Sequence, residues 1–226
     1  MLDKVKTPQL SGHKKSIYDP TQTGLIYPEI QQFDSFEAER LHRKQRLVAA
    51  CRAFALEGFD YGFAGHLTIR DPEHPELYWT NPMCVHFAQV KVSNLILADH
   101  KGQVVEGKHA INRAGFVLHA AVHEAHPDII SMCHAHTVYG TAFAALGRPL
   151  EPISQDAAAF FEDHIVIKDE AGQVAVEEKA GLAVCDWFKG VKAAIHQNHG
   201  LLTASRHSIE AAAFWFIALE RCCRQQ

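Results

Sequence analysis

A chain of 226 residues, 47% hydrophobic and 21% charged, has the make-up of an ordinary globular protein and is long enough for one large domain. Its formal net charge of −4 argues against a nucleic-acid surface or an anionic membrane as partner, and no stretch reaches the roughly 18 apolar residues of a membrane span. Six cysteines without a CxxC pair, and a start without an apolar h-region, lead us to expect reduced thiols in a cytoplasmic protein.

Residues 1–33 are polar, carry Pro8, Pro20 and Pro28, and read as an irregular arm; residues 34–226 read as one domain. The first predicted helix follows at once. Asp34 and Glu37 have the spacing of a capping box, Leu47, Cys51, Phe54 and Ala55 form the apolar stripe, and Gly58 is the stop. "HLTIRD" and "ELYWTN" are predicted strands around a hairpin-like turn, and "VSNLILADHKGQVVEG" gives two more joined by "DHKG". "NRAGFVLHAAVHEAH" is a helix stopped by Pro127, followed by a strand over 128–133 and a helix from about 137 to 146 that ends at Gly147. "DHIVIKD" and "GQVAV" read as strands, "EKAGLAVCDWFKG" as helix, "AAIHQNHGLLTAS" as strand, turn and strand, and "SIEAAAFWFIALERCCRQ" as the last helix. Strands and helices mix without a regular βαβ rhythm, which implies an α/β fold with three α/β/α layers around a mixed sheet.

Sixteen histidines are many for this length, and three stand out. In "SMCHAHTVYG" the imidazoles of His134 and His136 are two residues apart at a strand end, so they share one face. His199, in "QNHGLLT", follows an apolar strand and precedes a glycine, where a side chain can reach into a cleft. Three neutral imidazoles suit zinc first, with iron(II), manganese or cobalt as alternatives, and leave a position open for water or substrate. A competing cluster lies on the second helix, where His119, His123 and His126 share a face. No carboxylate stands there at motif spacing, and His119 reads better as a pocket or core residue beside the strand that follows.

The stretches "AGFVLHAAVHEAHPDIISMCHAHTVYGTAFAALG", "PLEPISQDA" and "HQNHGLLTAS", with the last helix, together resemble the class II aldolase/adducin family over roughly residues 40–224. The resemblance implies a central sheet that is mostly antiparallel, a homotetramer with active sites near subunit interfaces, and a divalent metal held by His134, His136 and His199. In the family's sugar-phosphate aldolases that metal polarises the substrate carbonyl, and an acidic residue upstream of the HxH acts as ligand or proton-transfer group.

The chain departs from that pattern around the triad. Counted back from the HxH without a gap, the acidic position falls on Gly115, and the serines that grip phosphate are replaced by the neighbourhood of Ile111, Asn112 and Arg113. The family's "GN-x-S" turn reads "GHLT", with His66 for asparagine, and its "P-[ST]-G" phosphate loop reads "NPMC", with Cys84 for glycine. His66, His119, Tyr139 and Gln155 are the candidates for moving protons. Arg113 and Arg148 are candidates for pairing with a substrate carboxylate, with a surface salt bridge as the plainer role for each. Three functions compete: a metal-dependent lyase acting on a small carbonyl or carboxylate substrate, a three-histidine iron oxygenase on the same fold, and a non-catalytic assembly domain like the adducin head, which typically does not keep the full histidine set. The last helix, with Phe214, Trp215, Phe216, Ile217 and Leu219, is apolar on more than one face and points to a neighbouring chain.

Overall fold

The computed structural model describes residues 31–168 and 187–226. The arm up to residue 30, the strand expected at "GQVAV" and most of the helix expected at "EKAGLAVCDWFKG" lie outside the described residues. Helix α1 (Phe36–Leu56) begins at Ser35, whose backbone is extended (φ −149°) and whose hydroxyl accepts from the Ala38 amide at 3.2 Å. The start is therefore one residue later than the Asp34–Glu37 box suggests, and Glu37 falls in the first turn, where the helix dipole favours a carboxylate. Leu47, Cys51 and Phe54 are buried along one stripe. Gly58, at φ +77°, ends the helix as the Phe59 amide bonds back to the Phe54 carbonyl at 2.8 Å.

Eight strands follow: β1 (His66–Arg70), β2 (Leu77–Thr80), β3 (Ile96–Asp99), β4 (Val104–Glu106), β5 (Ser131–Ala135), β6 (His164–Ile167), β7 (Ala193–His196) and β8 (Gly200–Ser205). They form one sheet in the order β4-β3-β2-β1-β5-β8-β7-β6, antiparallel throughout except for β6 beside β7. The sheet is thus mixed and mostly antiparallel. The strand expected over 128–133 starts at Ser131 and runs through Ala135, because its ladders with β1 and β8 extend that far. His134 is therefore inside the strand and His136 just past its end. "VSN", expected to open a strand, is a 3₁₀ turn (Val92–Asn94).

Side-chain alternation sorts the sheet's two faces. Leu67 and Ile69 of β1, Cys133 and Ala135 of β5, Leu201 of β8 and Ile195 of β7 point into a core shared with α1 and the last helix, α5 (Ile209–Gln225). Met132, Ala194 and Leu202 point the other way, against Leu118 and Val122 of α2 (Arg113–Ala125). His66, Thr68, Arg70, His134 and His196 have the parity of this second face. Two short helices, α3 (Val138–Ala144) and α4 (Gln155–Ala158), pack against α5. Within α5, Phe216 and Leu219 are fully buried and Trp215 and Ile217 partly so, while Phe214 is 61% exposed. Most of that helix's apolar surplus is covered within the chain. Among the described residues no helix is long and apolar enough to cross a membrane.

Candidate metal centre

The register of β1 on β5 places His66 directly opposite His134. Beyond the end of β5, His136 follows on the same side. The turn from β7 to β8 brings His199 across, helped by Asn198 in the left-handed region (φ +60°) and Gly200 at φ +157°. One ligand nitrogen from each of His134, His136 and His199 lies within 4.8 Å of the others, and no Asp or Glu among the described residues joins that group. The three rings stand edge to face, with centroids 4.8–5.1 Å apart.

The donor chemistry fits a metal. His134 Nδ1 donates to the Leu201 carbonyl at 2.8 Å, which fixes the proton on that nitrogen and leaves Nε2 as a bare lone pair. Buried His199 Nδ1 has no hydrogen-bond partner. Burial, reinforced by neighbouring imidazoles, pushes the His134 pKa well below its ordinary value and that of His199 down to about 4. Desolvation lowers His136 as well. Three neutral, converging imidazoles are what a divalent cation with borderline ligand preference needs.

The structure brings two of the four proton-transfer candidates to this group. The His66 ring lies 5.2 Å from that of His134 and 4.1 Å from that of His119. Both nitrogens of His66 and the Nε2 of His119 are buried without a partner, and burial drives both pKa values far down. Tyr139 and Gln155 are placed elsewhere: Tyr139 is 41% exposed on α3 under the Arg224 guanidinium, and Gln155 is exposed at the start of α4. Among the described residues no hydrogen bond or ring contact links either to the triad. Arg148 pairs with Glu151 on the surface, and Arg113 is exposed in the first turn of α2.

Gly115 faces the space filled by His66. A Cβ at this position would come within 2.2 Å of His66 Cε1 and 2.5 Å of its Nδ1. The imidazole thus occupies the room that any side chain at 115 would need. Other carboxylates are engaged away from the group: Glu106 pairs with Lys44, Glu124 with His100, and Asp156 sits in the first turn of α4.

The helical trio resolves differently from a metal cluster. His119 and His123 both bond Thr68, whereas His126 caps the end of α2. His196 was not singled out from the sequence. It is buried on β7 with both nitrogens unpartnered, 4.9 Å from the His199 ring. Its parity with His134 and His66 on one sheet face was the available signal, and it needed the register between β7, β8 and β5.

A pocket opens where Gly65 precedes His66. Its walls include Asp60, Phe63, Asn81, Met83, Cys84 and Asn112, with no basic residue among the described lining groups. Cys84 keeps a positive φ of 61° at the position where the family carries glycine, and Asp60 is tied to His86 at 2.6 Å.

The Class II Aldolase and Adducin N-terminal domain model matches residues 45–226. Over 196 residues the chain is 42% identical to Decarboxylase NovR of Streptomyces niveus, covering 86% of this chain and 72% of that protein. It is 41% identical to the 4-hydroxy-3-prenylphenylpyruvate oxygenase/4-hydroxy-3-prenylbenzoate synthase of Streptomyces roseochromogenus subsp. oscitans, covering 86% and 70%. Among solved structures, the L-fuculose 1-phosphate aldolase from Glaciozyma antarctica PI12 superposes with a TM-score of 0.78 at 42% identity, covering 88% of this chain and 77% of that one. The chain belongs to the class II aldolase/adducin family.

Proposed function

We propose that this protein is a divalent-metal-dependent lyase that breaks a C–C bond beside a carbonyl, by decarboxylation or aldol cleavage, in a small carbonyl or carboxylate substrate. The observation that carries this is the convergence of His134, His136 and His199 with neutral His66 and His119 beside them. His134 Nε2 and one nitrogen each of His136 and His199 would hold the ion. When bound, a divalent metal supplies Lewis-acid stabilisation of the negative charge that develops on a substrate carbonyl oxygen. Cleavage leaves an electron pair on the carbon next to that carbonyl, and a proton must reach it. The one N–H of neutral His66, in the space an acid at 115 would fill, would deliver it. His119 Nε2 would accept the proton released by the substrate hydroxyl in aldol cleavage, or one from water in decarboxylation, and return it to His66, so that both rings end neutral. Tyr139 and Gln155 fall outside this set. The described residues lining the pocket beside Gly65 include no basic side chain, which favours a substrate without a phosphate dianion.

One observation favours a second function, an iron(II) oxygenase: the relative named as an oxygenase is as similar as the one named as a decarboxylase. Elemental analysis of anaerobically purified protein, paired with turnover, separates the two. The lyase gives about one divalent metal per chain, lost in His136→Ala, and releases CO2 from oxaloacetate, the simplest probe, without consuming oxygen. Iron together with oxygen uptake on an aryl 2-oxo acid would establish the oxygenase instead. Absence of metal from the wild type would remove both.

The protein is further proposed to be a cytoplasmic homotetramer. Tyr61 and Phe63, beside the pocket, are 77% and 63% exposed and Phe214 is 61% exposed, and burial against neighbouring chains would cover them. Sedimentation at micromolar concentration checks it, and a single species at the 25.2 kDa of one chain would rule it out.

A further inference from the structure

His119 and His123, one turn apart on α2, both reach the Thr68 hydroxyl on β1: His119 Nδ1 at 2.9 Å and His123 Nε2 at 3.0 Å. The far nitrogen of His123, Nδ1, lies 3.1 Å from the Ile129 carbonyl. A carbonyl can only accept, so His123 Nδ1 carries a proton. His123 is neutral, because burial and then the Arg70 guanidinium press its pKa down to about 3, so its Nε2 has none. Nε2 must therefore accept from Thr68 Oγ1–H. That uses the only hydroxyl proton, so Thr68 Oγ1 accepts from His119 Nδ1–H. The reverse orientation would set a bare nitrogen against the Ile129 oxygen.

We infer that Thr68 and His123 are positioning residues that hold His119 as its Nδ1–H tautomer and so present a bare Nε2 toward His66 and the metal centre. One backbone carbonyl thereby dictates that His119 acts as an acceptor at the site. The unpartnered state of its buried Nε2, and the His66 ring tilted against it with centroids 4.1 Å apart, agree with a lone pair kept available. Arg70 steadies the same carbonyl from the other side, donating to Ile129 O at 3.2 Å and to the His123 carbonyl at 2.7 Å. This inference rests on His119 belonging to the site's proton chemistry, although its test does not use turnover.

The test is long-range 1H–15N NMR of the zinc-loaded protein labelled in its histidines, with His119→Gln used only to assign the His119 signals. Expected are a protonated Nδ1 and an unprotonated Nε2 on His119, kept in Thr68→Ser, which retains the hydroxyl. Thr68→Val, close in shape but without a hydroxyl, should lose that asymmetry while retaining zinc. A protonated Nε2 in the wild type overturns the inference, whether or not the valine variant folds. An unchanged His119 pattern in folded Thr68→Val overturns it equally. Failure of the lyase assignment would leave both spectra as expected, so the two ideas fail separately.

Discussion

Glycine inside a helix costs about 0.5–1 kcal/mol relative to alanine, yet Gly115 stands in the first turn of α2 with an ordinary helical backbone. The reason is its neighbour, because a Cβ there would meet the His66 ring at 2.2 Å, a separation that no rotamer adjustment of a methyl can relieve. Gly115→Ala should therefore destabilise by about 1–3 kcal/mol, the usual cost of overpacking, despite alanine's better helix propensity. In a His66→Ala background the same substitution should become neutral or stabilising, because the ring is gone. Urea unfolding of the four proteins gives the coupling energy directly. Additive effects would mean that the two positions do not share this space. The same contact means that a histidine at 66 and an acidic side chain at 115 would exclude each other.

The element that sets His136 is the turn from β5 into α3, and what secures it comes from far along the chain. Glu220 on α5, 5% exposed, accepts from the Thr137 hydroxyl, from the Tyr139 amide at 3.0 Å and from the Gly140 amide at 2.6 Å. It acts as the N-cap that α3 lacks locally, with its charge at the positive end of the helix. Glu220→Ala leaves several buried donors unpaired and should cost about 2–4 kcal/mol. It should also weaken zinc binding about 10- to 100-fold through the loosened His136; calorimetric zinc titration with an unchanged affinity would show that the turn holds itself. The HxH was legible in the sequence because strand alternation is local and needs no partner. Glu220 was not, since its role depends on packing between residues 80 positions apart. His123 was seen, but as part of a possible metal trio, because helical periodicity puts it on the face of His119 without saying that Thr68 lies opposite. The strand start at 131 instead of 128 has the same origin: ladder register with β1 and β8 decides it, and register is a pairwise property.

At the scale of the whole molecule, one sheet face holds an unusual load of neutral imidazoles, and this sets how the fold responds to acid. His66, His119, His123 and His134 are between 0% and 4% exposed. Burial is the leading cause that lowers each, His123 to about 3 and the others well below their ordinary value. The unfolded chain takes up these protons near pH 6.5, whereas the native chain refuses them. Depressed folded pKa values thus give stability that is fully present above about pH 6.5 and is lost as pH falls toward the folded values. Each withheld proton costs about 1.4 kcal/mol per pH unit, so four together can remove about 5 kcal/mol per unit from a total of about 5–15 kcal/mol. The metal-free protein should accordingly unfold between about pH 5.5 and 4. Asp71 plays no part in that window: burial opposes its charge, but Arg40, Trp79 and two backbone amides outweigh it and hold the carboxyl down at about 2, so its contribution is lost only below about pH 4. Stability from urea unfolding, measured at half-unit steps from pH 7 to 4.5 in the presence of chelator, counts the protons taken up on unfolding. A slope of about four to five protons is expected near pH 5, because His199, held down to about 4, adds to the four. A slope of one or less would mean that these imidazoles titrate freely in the native chain, and the tightly buried histidine face would be wrong.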